Sequence, residues 1–131
     1  MTQPASVVIP SAARTAGGLV IITADELNLE FDPRGALFYV NVTAVAGTGH
    51  PTLALTISGF DASGNPVPLH APMPGILTMG ERLIQVEPAA TDMLGSYPVK
   101  IGRFLPFPYQ VAWAISGNTP SFTFEIDVQY F

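Results

Sequence analysis

The stretch "SFTFEIDVQYF" (residues 121–131) alternates strictly between apolar and polar side chains. Successive side chains of a β-strand point to opposite faces, so this alternation predicts a strand with one buried face. Full burial of one such apolar side chain stabilises by about 1.5–3 kcal/mol. Five of them together rival the net stability of a small domain, so we expect this strand to be central to the core. The expected core residues are Phe122, Phe124, Ile126, Val128 and Tyr130.

Three other long stretches show the same period. They are "ALFYVNVTAV" (36–45), "TLALTISGFD" (52–61) and "YQVAWAISG" (109–117). The first two are separated by "AGTGHP" (46–51), whose glycines and proline are typical of a connection, so we expect these two strands to pair with each other. The segment "SGNTP" (116–120) is expected to turn the chain into the last strand.

Shorter strands complete an all-β pattern. We predict them at 19–23, 27–31, 67–69, 76–79 and 82–86, each bounded by Gly, Pro or Asp. Residues 88–108 lose the period and contain four prolines, so a long connection is expected there, with one helical turn around 89–94. "DASGNP" (61–66) is expected to form a turn, because it lacks the ligand spacing of a calcium loop.

Short strands with Pro- and Gly-rich turns favour a two-sheet antiparallel β-sandwich. A jelly roll is preferred over an immunoglobulin-like sandwich, although both bury the same alternating faces. We expect an extended N-terminal arm at residues 1–18 and a single sandwich domain at 19–131.

Composition excludes several classes of function. The chain has 131 residues, which is enough for one domain, and no apolar run reaches the ~20 residues of a membrane span. Five basic residues against ten acidic ones, without a basic cluster, argue against nucleic acid as a partner. There is no cysteine for a disulfide or a thiolate site. No export signal is visible at the N-terminus, so we expect synthesis in a cytoplasm.

The low charge leaves two interpretations. Charged residues make up 11% of the chain, where about 25% is usual. The surface is either rich in uncharged polar residues or largely covered by partner subunits.

Catalytic groups are scattered rather than grouped. His50 and His70 lack carboxylates in a ligand spacing, and neither G-x-S-x-G nor G-x-G-x-x-G occurs. A cluster of acids (Asp25, Glu26, Glu30 and Asp32) is more typical of turns and strand edges than of paired catalytic carboxylates. We therefore expect no enzyme activity, no metal and no cofactor.

Aromatic residues leave one alternative open. Trp113 shares a face with Val111 and Ile115, which favours core packing, whereas Tyr39 lies on the polar face of its strand. An exposed aromatic side chain is typical of a sugar-binding surface, so a carbohydrate-binding module remains an alternative.

The N-terminal stretch "QPASVVIPSAARTAGG" (3–18) is rich in Pro, Ala, Ser and Gly around an apolar "SVVI". Such a segment can add a strand to a neighbouring sheet, or it can pack on its own domain. Its candidate partner-binding residues are Ala5, Ser6, Val7, Val8, Ile9, Pro10 and Arg14.

Four stretches also resemble a known group of proteins. They are "SAARTA" (11–16), "PRGALFYVNVTAVAGTGHPTLALTISGFDASGN" (33–65), "RLIQVEP" (82–88) and "LPFPYQVAWAISGNTPSFTFEIDV" (105–128). Their order resembles that of small β-sandwich virion proteins of tailed bacteriophages. None of these stretches is a catalytic or ligand signature.

The resemblance implies a capsid decoration or cement protein. Such a protein sits on the capsid surface of the virion, is made in the host cytoplasm, and braces the major capsid protein as a dimer or trimer. A tail or head–tail connector component is the alternative within the same group.

Overall fold

The computed structural model describes residues 5–23, 33–69, 75–86, 91–94, 97–100 and 105–131. All regular structure in these ranges is β-strand, and every pairing between the strands is antiparallel. The predicted all-β antiparallel class is therefore confirmed. The strands are β1 (Ser6–Arg14), β2 (Gly18–Ile22), β3 (Ala36–Phe60), β4 (Pro66–Pro68), β5 (Gly80–Val86), β6 (Thr91–Leu94), β7 (Tyr97–Lys100) and β8 (Tyr109–Tyr130).

Two long strands form the centre of the sheet. β3 has 25 residues and β8 has 22, and they pair along almost their whole lengths as a two-stranded ribbon. In the first half of the ribbon, residues 36–46 pair with residues 121–130. In the second half, residues 52–58 pair with residues 110–116.

Each half of the ribbon has its own flanking strands. β1 pairs with β8 and β5 pairs with β3 in the first half, which gives the order β1-β8-β3-β5. β2 pairs with β8 and β4 pairs with β3 in the second half, which gives the order β2-β8-β3-β4. The structure thus extends the ribbon by one strand on each side of each half.

The prediction that stretches 36–45 and 52–61 pair with each other is wrong. They are parts of the single strand β3, and each pairs with a different part of β8. Residues 116–120 do redirect the chain into its last stretch, but as a bend within the single strand β8 and not as a turn between two strands. Alternation predicts which face of a strand is buried, but it does not identify the strand alongside.

The ribbon is folded over. A straight strand of 22 residues would span roughly 70 Å. Yet the hydroxyls of Tyr109 and Tyr130, at the two ends of β8, are only 2.6 Å apart. The rings of Trp113 and Phe124, which lie closer to the middle of β8, have centroids 5.9 Å apart. The inner faces of the two halves therefore pack against each other.

The bend lies where both strands leave regular geometry. In β3, Gly47, Gly49 and His50 have positive φ, and in β8 the same holds for Gly117 and Thr119. A Cβ added to Gly117, where φ is 125°, would lie 2.7 Å from the Cα of Pro51 on the opposite strand. Only glycine allows this close approach of the two backbones.

Side chains from both halves form one core. The five predicted core residues of the last strand are each at most 2% exposed. Phe38 and Val40 of the first half and Leu53 and Leu55 of the second half belong to the same cluster. The predicted burial of alternate residues is thus confirmed for most of the long stretches, with Ser58 buried on the expected polar face and Trp113 and Ile115 only half-buried.

Predictions for the shorter strands had mixed outcomes. Strands close to those expected at 19–23, 67–69 and 82–86 are present as β2, β4 and β5. The stretch 76–79 contributes only a single bridge, between Ile76 and Leu53. The strand expected at 27–31 lies outside the described residues.

The helical turn expected around 89–94 is wrong. Residues 91–94 form β6, which pairs with β7 as a separate two-stranded sheet. A Gly-Ser pair (95–96) between two short runs is a sequence signal that favours antiparallel pairing of the runs on either side.

Candidate functional site

The N-terminal candidate residues lie in the sheet of their own chain. Six of them, Ser6 to Pro10 and Arg14, belong to β1, and Ala5 precedes it. Ile9 is 1% exposed in the core, and Val8 packs against the same core. Of the two alternatives for this segment, the structure has the one in which it packs on its own domain. Contact of these residues with a partner stays a prediction.

β1 is irregular, and within the described residues it pairs on one side only, with β8. Its register shifts between Val7 and Ile9 and again between Ile9 and Ala12. Pro10 is exposed and has no N–H to donate. Bulges and proline are devices that keep a sheet edge from pairing with another chain. Side chains of β1 are therefore better suited to contact a partner than its backbone edge is.

Arg14, at the end of β1, forms hydrogen bonds and ring contacts that link β1 to β8. Its Nη1 donates hydrogen bonds of 3.1 Å to the carbonyl oxygens of Ala12 and Phe124, and its Nη2 donates one of 2.7 Å to that of Pro10. The guanidinium carbon lies 4.6 Å from the ring centroid of Phe124 and 5.4 Å from that of Trp113. Partial burial lowers the pKa of Arg14 from its ordinary value. The guanidinium of Arg14 is therefore bonded to and packed against residues of its own chain.

Trp113 is half-buried and packs against the core, on the face of β8 that the sequence predicts. Its Nε1 donates a hydrogen bond of 3.2 Å to the carbonyl oxygen of Ala16. The ring lies beneath Arg14, packs on the core and approaches Gly18 so closely that a Cβ there would lie 2.5 Å from it. Trp113 therefore offers no open platform for a sugar ring.

Among the aromatic side chains that the structure describes, Tyr39 stays exposed. It is 39% exposed, and its hydroxyl donates a hydrogen bond of 3.0 Å to Oε1 of Gln129. It lies on the outer face of the first half of the ribbon, on the side away from the core.

Other polar groups have structural roles. Oδ1 of Asp61 accepts hydrogen bonds of 2.9 Å from the backbone N–H groups of Ser63 and Asn65, which closes the turn predicted there. The backbone bond from Asn65 is the main cause that lowers the pKa of Asp61. Burial raises the pKa of Tyr109 and of Tyr130, whose hydroxyls bond to each other.

The expected absence of a metal site can be compared with the structure only in the described part of the chain. Within the described ranges, no three His, Cys, Asp or Glu side chains are grouped closely enough to hold a metal ion. His50 lies at the exposed bend of β3. Five residues discussed above fall outside the described part of the chain: His70, Asp25, Glu26, Glu30 and Asp32. Among the described residues no helix is long and apolar enough to cross a membrane.

Comparisons with protein-family models, with curated proteins and with solved structures gave no match. The similarity to virion proteins of tailed phages therefore stays a prediction from the sequence.

Proposed function

We propose that this chain is a non-enzymatic structural protein of a tailed-phage virion. It binds the outside of the capsid and stabilises contacts between major capsid subunits, as a decoration or cement protein. The observation that most supports this proposal is the number of large apolar side chains on the outside of the folded ribbon and its loops. Val7, Leu19, Ile21, Leu77, Met79 and Leu83 are each between 48% and 62% exposed. A surface of this kind suits a protein that is covered by neighbours in an assembly.

The order of strand pairing supports a jelly roll, an architecture that includes viral capsid domains. If β3 and β8 are each divided at their bend, the large sheet has eight strand segments in chain order. The first then pairs with the eighth, the second with the seventh, the third with the sixth and the fourth with the fifth. Such pairing is what results when a long hairpin is rolled up. The two halves then form the two layers of the proposed β-sandwich.

Attachment by several shallow contacts fits this architecture. A folded ribbon is a rigid block with two outer faces, so one copy can touch more than one capsid subunit. Many modest contacts, repeated in a dimer or trimer, give a long-lived complex through multivalency. No cofactor takes part in this function.

Copy number in purified particles tests the proposal. We expect quantitative mass spectrometry to find this chain at a copy number comparable with that of the major shell protein. A few copies per particle would instead favour the tail or connector alternative. Absence from the particle would refute the proposal.

A further inference from the structure

One exposed row of side chains crosses four strands of the first half of the ribbon. Val7 of β1 pairs with Asp127 of β8, which pairs with Tyr39 of β3, which pairs with Leu83 of β5. Val7 and Leu83 are each 55% exposed, and Tyr39 is 39% exposed. With strands about 4.8 Å apart, the row is about 14 Å long. Three of its four side chains are apolar or aromatic, and the fourth is the carboxylate of Asp127.

The charge around this row has one sign. Asp127 lies within the row, and in the next row Asn41 pairs with both Glu81 and Glu125. The arginines of these strands belong to the opposite face, because Arg14 pairs with Phe122 and Arg82 pairs with Val40, and both of these partners are buried. Among the described residues of the four strands, the outer face thus has three carboxylates and no cation.

Asp127 also has an unsatisfied atom. Its Oδ1 is buried and accepts no hydrogen bond. A carboxylate with one oxygen shielded from water and without a donor is costly to keep charged, and a cation bound to the same carboxylate would offset that cost. Arginine suits this position, because its guanidinium can stack on an aromatic ring such as Tyr39 while it donates to a carboxylate.

We infer that this outer face, centred on Tyr39, Leu83 and Asp127, docks a basic surface of another protein, with an arginine or lysine bound to Asp127. The apolar row forms the dry centre of the interface, and the two glutamates lie towards its rim. The same face of a second copy is excluded as the occupant, because three carboxylates would then face three others. Nucleic acids and anionic membranes are excluded by the same charge argument.

The setting of the inference, a protein partner in a virus particle, rests on the proposed function. Its test starts with photo-crosslinking in cells that produce the virus. A photo-reactive phenylalanine analogue replaces Leu83 in one variant and Asn118 in the control, since Asn118 is also exposed but lies at the bend of β8, outside the apolar surface. We expect the probe at position 83 to attach to a different protein at a peptide that contains Arg or Lys, and Asp127→Lys to abolish this crosslink.

Mass spectrometry of the crosslinked peptide separates this inference from the proposed function. Attachment to the major shell protein supports both. Attachment to the basic surface of some other protein supports the inference and counts against the proposed function. Attachment only to further copies of this chain, to lipid or to nucleic acid, or equal yields from positions 83 and 118, would overturn the inference.

Affinity for the crosslinked protein gives the second measurement. Loss of one partner of a buried charged pair weakens binding by about 30-fold or more, so we expect that loss for Asp127→Asn. Leu83→Ser should also weaken binding, whereas Asn118→Ser, at the exposed bend of β8, should change it by less than about two-fold. Since Oδ1 of Asp127 has no hydrogen-bond partner among the described residues, Asp127→Asn should not lower the melting temperature. Wild-type affinity in Asp127→Asn would overturn the inference.

Discussion

The bond between Tyr109 and Tyr130 offers the sharpest test of the folded ribbon. Both side chains are at most 2% exposed, and their hydroxyls are 2.6 Å apart. Replacing either tyrosine by phenylalanine leaves the other hydroxyl buried without its partner, at a cost of about 1–3 kcal/mol. Replacing both removes the two polar groups together, which is close to neutral. We therefore expect Tyr109→Phe and Tyr130→Phe to destabilise singly and to compensate each other in the double variant.

The assay is a double-mutant cycle on the free energy of unfolding, measured by urea titration with circular dichroism. We expect a coupling free energy of about 2 kcal/mol. Each single variant should melt several degrees lower, since 1 kcal/mol corresponds to roughly 3–5 °C for a chain of this length. Tyr39→Phe is the control, because its hydroxyl bonds to Gln129 at the exposed surface, and its cost should stay below about 0.5 kcal/mol. If the free-energy changes of Tyr109→Phe and Tyr130→Phe were strictly additive, the prediction that the two ends of β8 are in contact would be refuted.

The same pair makes stability fall at alkaline pH. Burial, as the main cause, raises the pKa of both tyrosines, so the folded chain keeps protons that the unfolded chain loses above about pH 10. Their contribution to stability is therefore complete below pH 10 and decreases as the pH rises above it. The slope reaches about 1.4 kcal/mol per pH unit for each tyrosine. The double phenylalanine variant should show a flatter pH dependence, and an unchanged slope would contradict this cause.

Other substitutions test the bend and the N-terminal strand, each through the free energy of unfolding. Gly117→Ala should cost about 3 kcal/mol or more, because its Cβ meets the backbone of Pro51 at a φ that alanine avoids. Thr119→Asn should stabilise by about 0.5–1 kcal/mol, since φ at Thr119 is 47° and asparagine tolerates that region better than a β-branched residue does. Arg14→Met should cost about 1–2 kcal/mol through lost ring contacts and hydrogen bonds, while Ile9→Ala should cost about 2–5 kcal/mol. Unchanged stability in Ile9→Ala would contradict the packing of β1 on its own domain.

The sequence predicted which face of each strand is buried better than it predicted which strands pair, and the reason is physical. A period of two reports which side chains are turned towards the core, and this held for Phe38 to Val42, Leu53 to Ile57 and Phe122 to Tyr130. Pairing depends on contacts between residues far apart in the chain, and the alternation is the same whichever strand lies alongside. The glycines and proline of 46–51 suit a reversal of the chain as well as a bend in a continuing strand. What distinguishes the two is that both sides of this segment pair with β8 and not with each other.

The same alternation of polar and apolar residues predicted only part of the candidate site. Tyr39 stood out in the sequence as an aromatic residue on a polar face, and the structure leaves it exposed. Leu83 gave no such signal, because an exposed leucine within "RLIQV" (82–86) resembles any other residue of a short strand. Asp127 was expected on the polar face of the last strand, but its unsatisfied oxygen follows from packing that alternation does not describe.

The bulge in β1 links the core to the proposed docking face. In a regular strand Val7 and Ile9, two residues apart, would point to the same side of the sheet. Here they pair with Asp127 and Ile126, which are adjacent in β8 and point to opposite sides, so β1 contains one extra residue between them. Ile9 is consequently buried, while Val7 completes the outer row beside Asp127. One irregularity in the apolar "SVVI" therefore allows the same short segment to stabilise its own domain and to present an apolar side chain to a partner.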